Sequence, residues 1–156
     1  MYTGMVLAQK KYDEENTLGF GVAYSDAFGE PQVFPLLKAN WRISDRFKVV
    51  SLLPLKLDAI YEFSDEFNAG FQARVNGYQY RLTEKVPFEN SVLKYTEVYV
   101  GPFVDFKVTA KTRLRASAGA IVGQSFEIRD DDSDEVLQEG DYENSYYASL
   151  KYYFPF

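Results

Sequence analysis

From Tyr146 to Phe156 the chain reads Tyr-Tyr-Ala-Ser-Leu-Lys-Tyr-Tyr-Phe-Pro-Phe. Every second residue back from the end is apolar or aromatic: Phe156, Phe154, Tyr152, Leu150, Ala148 and Tyr146. The positions between them, Pro155, Tyr153, Lys151, Ser149, Tyr147 and Ser145, are mostly polar. A strict period of two describes a strand with one greasy face and one wet face. The same alternation runs through almost the whole chain. Val33, Pro35, Leu37, Ala39, Trp41 and Ile43 oppose Gln32, Lys38, Asn40 and Arg42. Leu55, Leu57, Ala59, Tyr61 and Phe63 oppose Lys56, Asp58, Ile60 and Glu62, and Phe67, Ala69, Phe71, Ala73 and Val75 oppose Asn68, Gly70, Gln72 and Arg74. Val98, Val100, Val104, Phe106 and Val108 face away from Glu97, Tyr99, Asp105 and Lys107. Leu114, Ala116, Ala118, Ala120 and Val122 face away from Arg113, Arg115, Ser117 and Gly119, and Leu18, Phe20, Val22 and Tyr24 from Gly19, Gly21, Ala23 and Ser25. No helical period competes, so the expected fold is all-β.

The connections fall into two alternating classes. Asp13–Asn16, Ser44–Arg46, Ser64–Glu66 and Thr109–Lys111 are short, and their Ser, Thr and Asp residues suit turns because such side chains bond the nearby backbone. The other class holds residues 26–31, the Leu53-Pro54 junction, the polar loop Thr83–Asn90 and the acidic loop Asp130–Glu143. Proline at position 54 interrupts a ladder and marks a tight connection there. Short turns at one end and mostly longer loops at the other match an up-and-down antiparallel barrel in a membrane. This reading gives nine strands, one short of the even number such barrels use. A strand upstream of Met1 is the preferred remedy; a bulge at Leu53-Pro54 would put the two Ser-Asp turns at opposite ends. Met1–Lys11 lacks the basic-then-apolar pattern of a signal peptide, so the expectation is a mature chain or the C-terminal portion of a longer one.

At 156 residues the chain is expected to form a single domain, residues 1–156, large enough to close a barrel. Tyrosine and phenylalanine each occur 13 times, a load that strands and membrane interfaces use. The net charge of −6 gives a nucleic-acid partner no electrostatic support. The mean hydropathy of −0.31 is compatible with a membrane barrel, in which half of every strand faces inward. There is no cysteine and no histidine, which removes thiol chemistry, the commonest general base and the usual transition-metal ligand. A serine nucleophile would lack a histidine partner, and Asp58 and Glu62 share a face without marking an acid–base pair. The expectation is a non-enzymatic protein without a cofactor.

The terminal strand resembles the C-terminal signal strand of bacterial outer-membrane β-barrels, which ends in Phe after alternating hydrophobic positions. More narrowly, Gln32-Val33-Phe34-Pro35 through Trp41-Arg42-Ile43-Ser44, then Leu52-Leu53-Pro54 and Gly77-Tyr78-Gln79-Tyr80-Arg81-Leu82, resemble a family of uncharacterised outer-membrane β-barrels from Bacteroidota-type bacteria, over roughly Thr17 to Phe156. The resemblance implies an outer-membrane location, a transmembrane barrel of about 8–10 strands, a longer N-terminus supplying the missing strand, and recognition of the terminal strand by barrel-assembly machinery. Pro155 departs from the usual signal, because it lacks an N–H where the barrel should close.

Periodicity alone does not say which face is outside, and a soluble lipocalin-like barrel around an apolar ligand would show the same alternation inverted. Aromatic residues near the short turns favour lipid outside: Tyr12, Trp41, Phe47, Phe63, Phe67, Phe106, Phe154 and Phe156 form an expected interfacial girdle. Small residues such as Ala116, Ala118 and Ala120 would also fill a core poorly. The wet face then lines the lumen with Lys38, Arg42, Lys56, Arg74, Lys107, Arg113, Arg115 and Lys151 against Asp58, Glu62, Glu97 and Asp105. Such a set can make an anion-preferring constriction or, with its signs interspersed, a network that fills a narrow lumen; the second is preferred. The acidic loop offers Asp130, Asp131, Asp132 and Asp134 as a weak calcium candidate without the Asp-x-Asp-x-Asp-Gly frame, and a solvated outer loop is preferred. The resulting expectation is a bilayer protein with a structural or interaction role or a narrow solute passage. The alternative is a barrel subunit of a larger outer-membrane complex, docked on other envelope proteins.

Overall fold

In a computed structural model, residues 2–25, 32–82, 91–130, 136–141 and 143–154 are described. The strands are β1 (Thr3–Lys11), β2 (Thr17–Ser25), β3 (Gln32–Ser44), β4 (Phe47–Leu53), β5 (Lys56–Glu62), β6 (Phe67–Leu82), β7 (Ser91–Thr109), β8 (Thr112–Asp130), β9 (Val136–Asp141) and β10 (Ser145–Tyr153). They form one antiparallel sheet in chain order, each strand beside the next, except that β9 and β10 both pair with β8. The ten strands therefore occupy nine positions. The all-β, up-and-down architecture is the one the alternation predicts, and among the described residues there is no helix.

Three expectations are corrected. The sheet is not a closed barrel: its order begins at β1 and ends at β10, and these two do not pair. The acidic stretch is not all loop, because β9 lies within it and pairs through Ser125–Arg129 of β8. β7 and β8 are also longer than their apolar alternation suggested, 19 residues each. Their extensions lie past an irregularity between Thr96 and Val98, opposite Gly123, whose φ of 60° is left-handed and favours glycine. The irregularity breaks the period of two, so the pattern fades although the strands continue. The loops at residues 26–31 and 83–90, and the terminal pair Pro155 and Phe156, lie outside the described residues.

The turns form as their residues dictate. Asp13 accepts from the backbone N–H groups of Glu15 and Asn16 and from the Asn16 amide, and these bonds hold its carboxyl below the ordinary carboxylate range, the Asn16 side chain foremost. Ser64 accepts from the N–H groups of Glu66 and Phe67. The Leu53-Pro54 bond is cis, and Leu55 N–H closes that turn on Leu52 O at 2.8 Å, so Leu53-Pro54 is a tight hairpin connection and not a bulge in one long strand.

The sheet curls, and contacts between non-neighbouring strands identify its concave side. Arg115 on β8 reaches Asp58 on β5, and Gln72 on β6 reaches Tyr147 on β10. The wet positions point to that side. The apolar positions form the convex side. On β2 to β5, on β6 up to Val75, on β7 from Val98, on β8 up to Val122 and on β10, the alternating apolar positions carry no charged residue. Past those points the same phase of β7 runs into Lys94, in register with Glu127, and Lys10, packed over the Tyr12 ring, sits on the β1 margin of that face. Phe20, Val33, Phe71 and Leu150 stand more than half exposed there. The concave side also holds a few buried apolar residues, Leu36 and Ala23 on the neighbouring strands β3 and β2 and Ile60 on β5.

Candidate functional site

The geometry of the concave side is organised by Arg115. Its guanidinium grips Asp105 with two bonds, Nε to Oδ1 at 2.9 Å and Nη2 to Oδ2 at 2.7 Å. This fork-to-fork arrangement is the strong form of an arginine–carboxylate pair. Its third nitrogen, Nη1, donates to Asp58 Oδ2 and to Gln72 Oε1, each at 3.3 Å. Phe103 lies under the guanidinium plane, 3.8 Å from ring centroid to Cζ. Asp58 also meets Arg74 at 2.6 Å and Lys56 at 3.7 Å, and Gln72 donates onward to the Tyr147 hydroxyl at 3.1 Å. Five strands, β5 to β8 and β10, thus meet at one node. Both carboxylates are only 2% exposed. Burial of that degree is tolerated because each charge has opposite charges and hydrogen bonds beside it.

A second cluster lies towards the short turns. Arg42 Nη1 donates to Glu62 Oε2 at 2.8 Å, and Lys48 donates to the other Glu62 oxygen. Arg42 Nε also meets Glu15 at 2.7 Å, and its backbone N–H is capped by the Asn16 side chain. Of the remaining expected lumen residues, Lys38 donates to Gln9, Arg113 donates to the Asp65 carbonyl, and Glu97 accepts from the Tyr99 hydroxyl. Lys107 and Lys151 are exposed on the same side. Among the described residues, then, the twelve expected charges share one face, but only Lys56, Asp58, Arg74, Asp105 and Arg115 converge on the node.

The node divides the concave space. Towards the short turns lie cavities of about 540 and 440 Å³, where Arg42, Glu62, Lys107 and Arg113 mix both signs. Towards the loops lies a cavity of about 380 Å³ lined by tyrosines, serines and two cations.

On the convex side, the expected girdle forms contacts across strands. Phe63 packs on Tyr61 and Phe67, and Phe67 on Phe106, with ring centroids 4.7 to 5.4 Å apart. Tyr12 packs edge-on against Trp41, and Phe154 against Tyr152. Phe47 lies in register with Tyr61. Phe156 lies outside the described residues, as do Asp131, Asp132, Asp134 and the side chain of Asp130. Among the described residues no acidic cluster suited to a metal ion occurs.

The sequence reading passed over Phe103, Gln72, Tyr147 and Tyr153 as site residues. The alternation already puts Phe103 in phase with Asp105, and an aromatic on a wet face was the available signal. The contacts themselves join strands distant in sequence, which periodicity does not report.

A family described as a domain of unknown function, DUF6268, matches residues 1–154. The chain belongs to that family. No curated protein and no solved structure matches the chain.

Proposed function

We propose that the chain is the wall of an outer-membrane β-barrel, non-enzymatic, whose interior is held shut by the Arg115 node towards its short-turn end, so that it acts as a structural or docking protein rather than an open pore. The observation that carries this reading is the inverted polarity of the sheet: charged groups crowd the concave side, and over the stretch from the short turns up to Val75, Val98 and Val122 an uncharged apolar face is turned outwards. A soluble barrel would place its apolar face inside and its charges in water. An apolar ligand would find Asp58, Asp105 and Arg115 where it needs a hydrocarbon lining, which disfavours the lipocalin-like alternative. Strands such as β3 and β6 to β8 exceed the roughly 9–11 residues that cross a bilayer. Edges β1 and β10 run in the same direction, since both occupy odd positions of an antiparallel sheet. One antiparallel segment between them would complete an even-numbered barrel and satisfy backbone groups that lipid cannot. The partners of this reading are the bilayer, the machinery that assembles barrels, and envelope proteins that dock on the loops or the wall.

Expression with a secretion signal, followed by alkaline washing of membranes, tests the location. The chain should remain in the pellet and require detergent for monodispersity; a monodisperse, detergent-free protein would sink the proposal. Planar-bilayer recording tests the closed interior, with little or no conductance expected of the wild type and steady steps expected of Arg115→Ala.

A further inference from the structure

The loop-side cavity differs in chemistry from the rest of the concave space. No carboxylate lines it among the described residues, and two cations do, Arg74 and Lys151. Arg74 is already engaged by Asp58 and by the Leu57 and Ala73 carbonyls. Lys151 is exposed and is the cation left to meet a ligand. Glu97 is buried and takes up the Tyr99 hydroxyl. Two of the lining tyrosines are fixed in place: Tyr99 and Tyr147 meet edge-to-face at 5.1 Å, and the Tyr147 hydroxyl is held by Gln72, itself clamped by Arg115. The cavity therefore combines rigid aromatic walls, short hydroxyl and amide groups from Ser117, Ser149 and Asn76, and one available ammonium. Its floor is the charged node, through Gln72 and Arg74.

We propose that this cavity binds a small sugar acid, a hydroxylated ring bearing one carboxylate. Tyrosine rings present apolar faces to the C–H side of a sugar. The Tyr147 hydroxyl, which accepts from Gln72, keeps its proton to donate, and Ser117, Ser149 and Asn76 supply the remaining donors and acceptors. Lys151 supplies the counter-charge to the carboxylate. A volume of about 380 Å³ lies at the small end of ligand pockets and suits one or two rings rather than a polymer. The inference holds whether lipid or water covers the convex face, so it stands or falls separately from the membrane reading.

The purified full chain, in detergent if it requires it, is titrated by calorimetry at fixed ionic strength with D-galacturonate, D-galactose and benzoate. Galacturonate should bind saturably, and loss of either the charge or the ring hydroxyls should weaken binding by about tenfold or more. Lys151→Gln should weaken galacturonate binding by a similar factor, while Lys107→Gln, on the opposite side of the node, should leave it unchanged, with circular dichroism confirming that both variants retain the sheet. Absence of saturation up to roughly 50 mM, equal binding of galactose or benzoate, or an unaltered Lys151→Gln would overturn the proposal.

Discussion

Replacing Arg115 by Met keeps much of its length and removes its charge. Asp105 then loses both bonds of its bidentate partner while staying 2% exposed. Asp58 keeps Arg74 at 2.6 Å and Lys56 at 3.7 Å, so the damage concentrates on Asp105. Removing one partner of a buried pair costs about 3–5 kcal/mol, mostly because the other charge is left uncompensated. With a urea slope of about 2 kcal/mol/M, the unfolding midpoint should fall by roughly 2 M. Adding Asp105→Asn removes the stranded charge and should recover at least half of the loss. Asp58→Asn alone should cost less than Arg115→Met, because Arg115 keeps its fork on Asp105. Equilibrium urea unfolding followed by tyrosine and tryptophan emission, in vesicles or detergent, measures all four proteins. A midpoint shift below about 0.5 M for Arg115→Met, or a double variant no better than the single, would show that water already screens the node and would refute its structural role.

Ala118→Arg, on the convex face between strand ends, should cost about 2–4 kcal/mol if that face meets lipid and within about 0.5 kcal/mol of nothing if it meets water; the same unfolding assay separates the two. Gly123→Ala forces a side chain into a left-handed conformation and should cost about 1–2 kcal/mol, read from its unfolding midpoint. The Asp13 carboxyl titrates below its ordinary value, so the stability it contributes is present above the unfolded value near 3.9 and is lost as pH falls through its lower folded value. Amide exchange at Glu15 and Asn16, after correction for intrinsic rates, should lose protection over that acid range, and Asp13→Asn should abolish the pH dependence.

Much of the fold is written in the period of two. Which residue faces which side of β2, β3, β5 and β10, of β6 up to Val75 and of β8 up to Val122 follows from alternation, because one slipped residue would turn every charge to the greasy side. The short turns were equally legible, since Asp13 and Ser64 make local bonds that need no tertiary partner. Alternation assigns a side but not a height. Arg115 and Asp58 are 57 positions apart, and their meeting depends on the accumulated register of β5 through β8, which periodicity does not contain. For the same reason Phe103 reads as an anomaly in sequence and as a shelf for Arg115 in space. β9 was hidden because Val136–Asp141 is short and acidic, and it pairs only because β8 runs on past Gly123 to receive it.

The convex face and the two free edges make different physical demands, and the difference bears on what surrounds the molecule. A face carrying Tyr146 at 90% exposure and Leu150 at 69% needs only to be removed from water, and that demand is non-directional. Lipid tails meet it without any particular contact, whereas a soluble protein would need a matching apolar surface over the whole curve. The edges β1 and β10 need donors and acceptors at fixed intervals, which hydrocarbon lacks and another strand supplies. Lipid and strand are therefore complementary rather than competing coverings. The Arg115 node fits the proposed membrane setting, because a wall that lipid supported would gain no packed apolar core from its outer face and would have to be braced from within. Asp58, Gln72, Asp105 and Tyr147 joined through Arg115 tie five strands together towards the short-turn end, where hydrogen-bonded neighbours alone would leave the curl free to open.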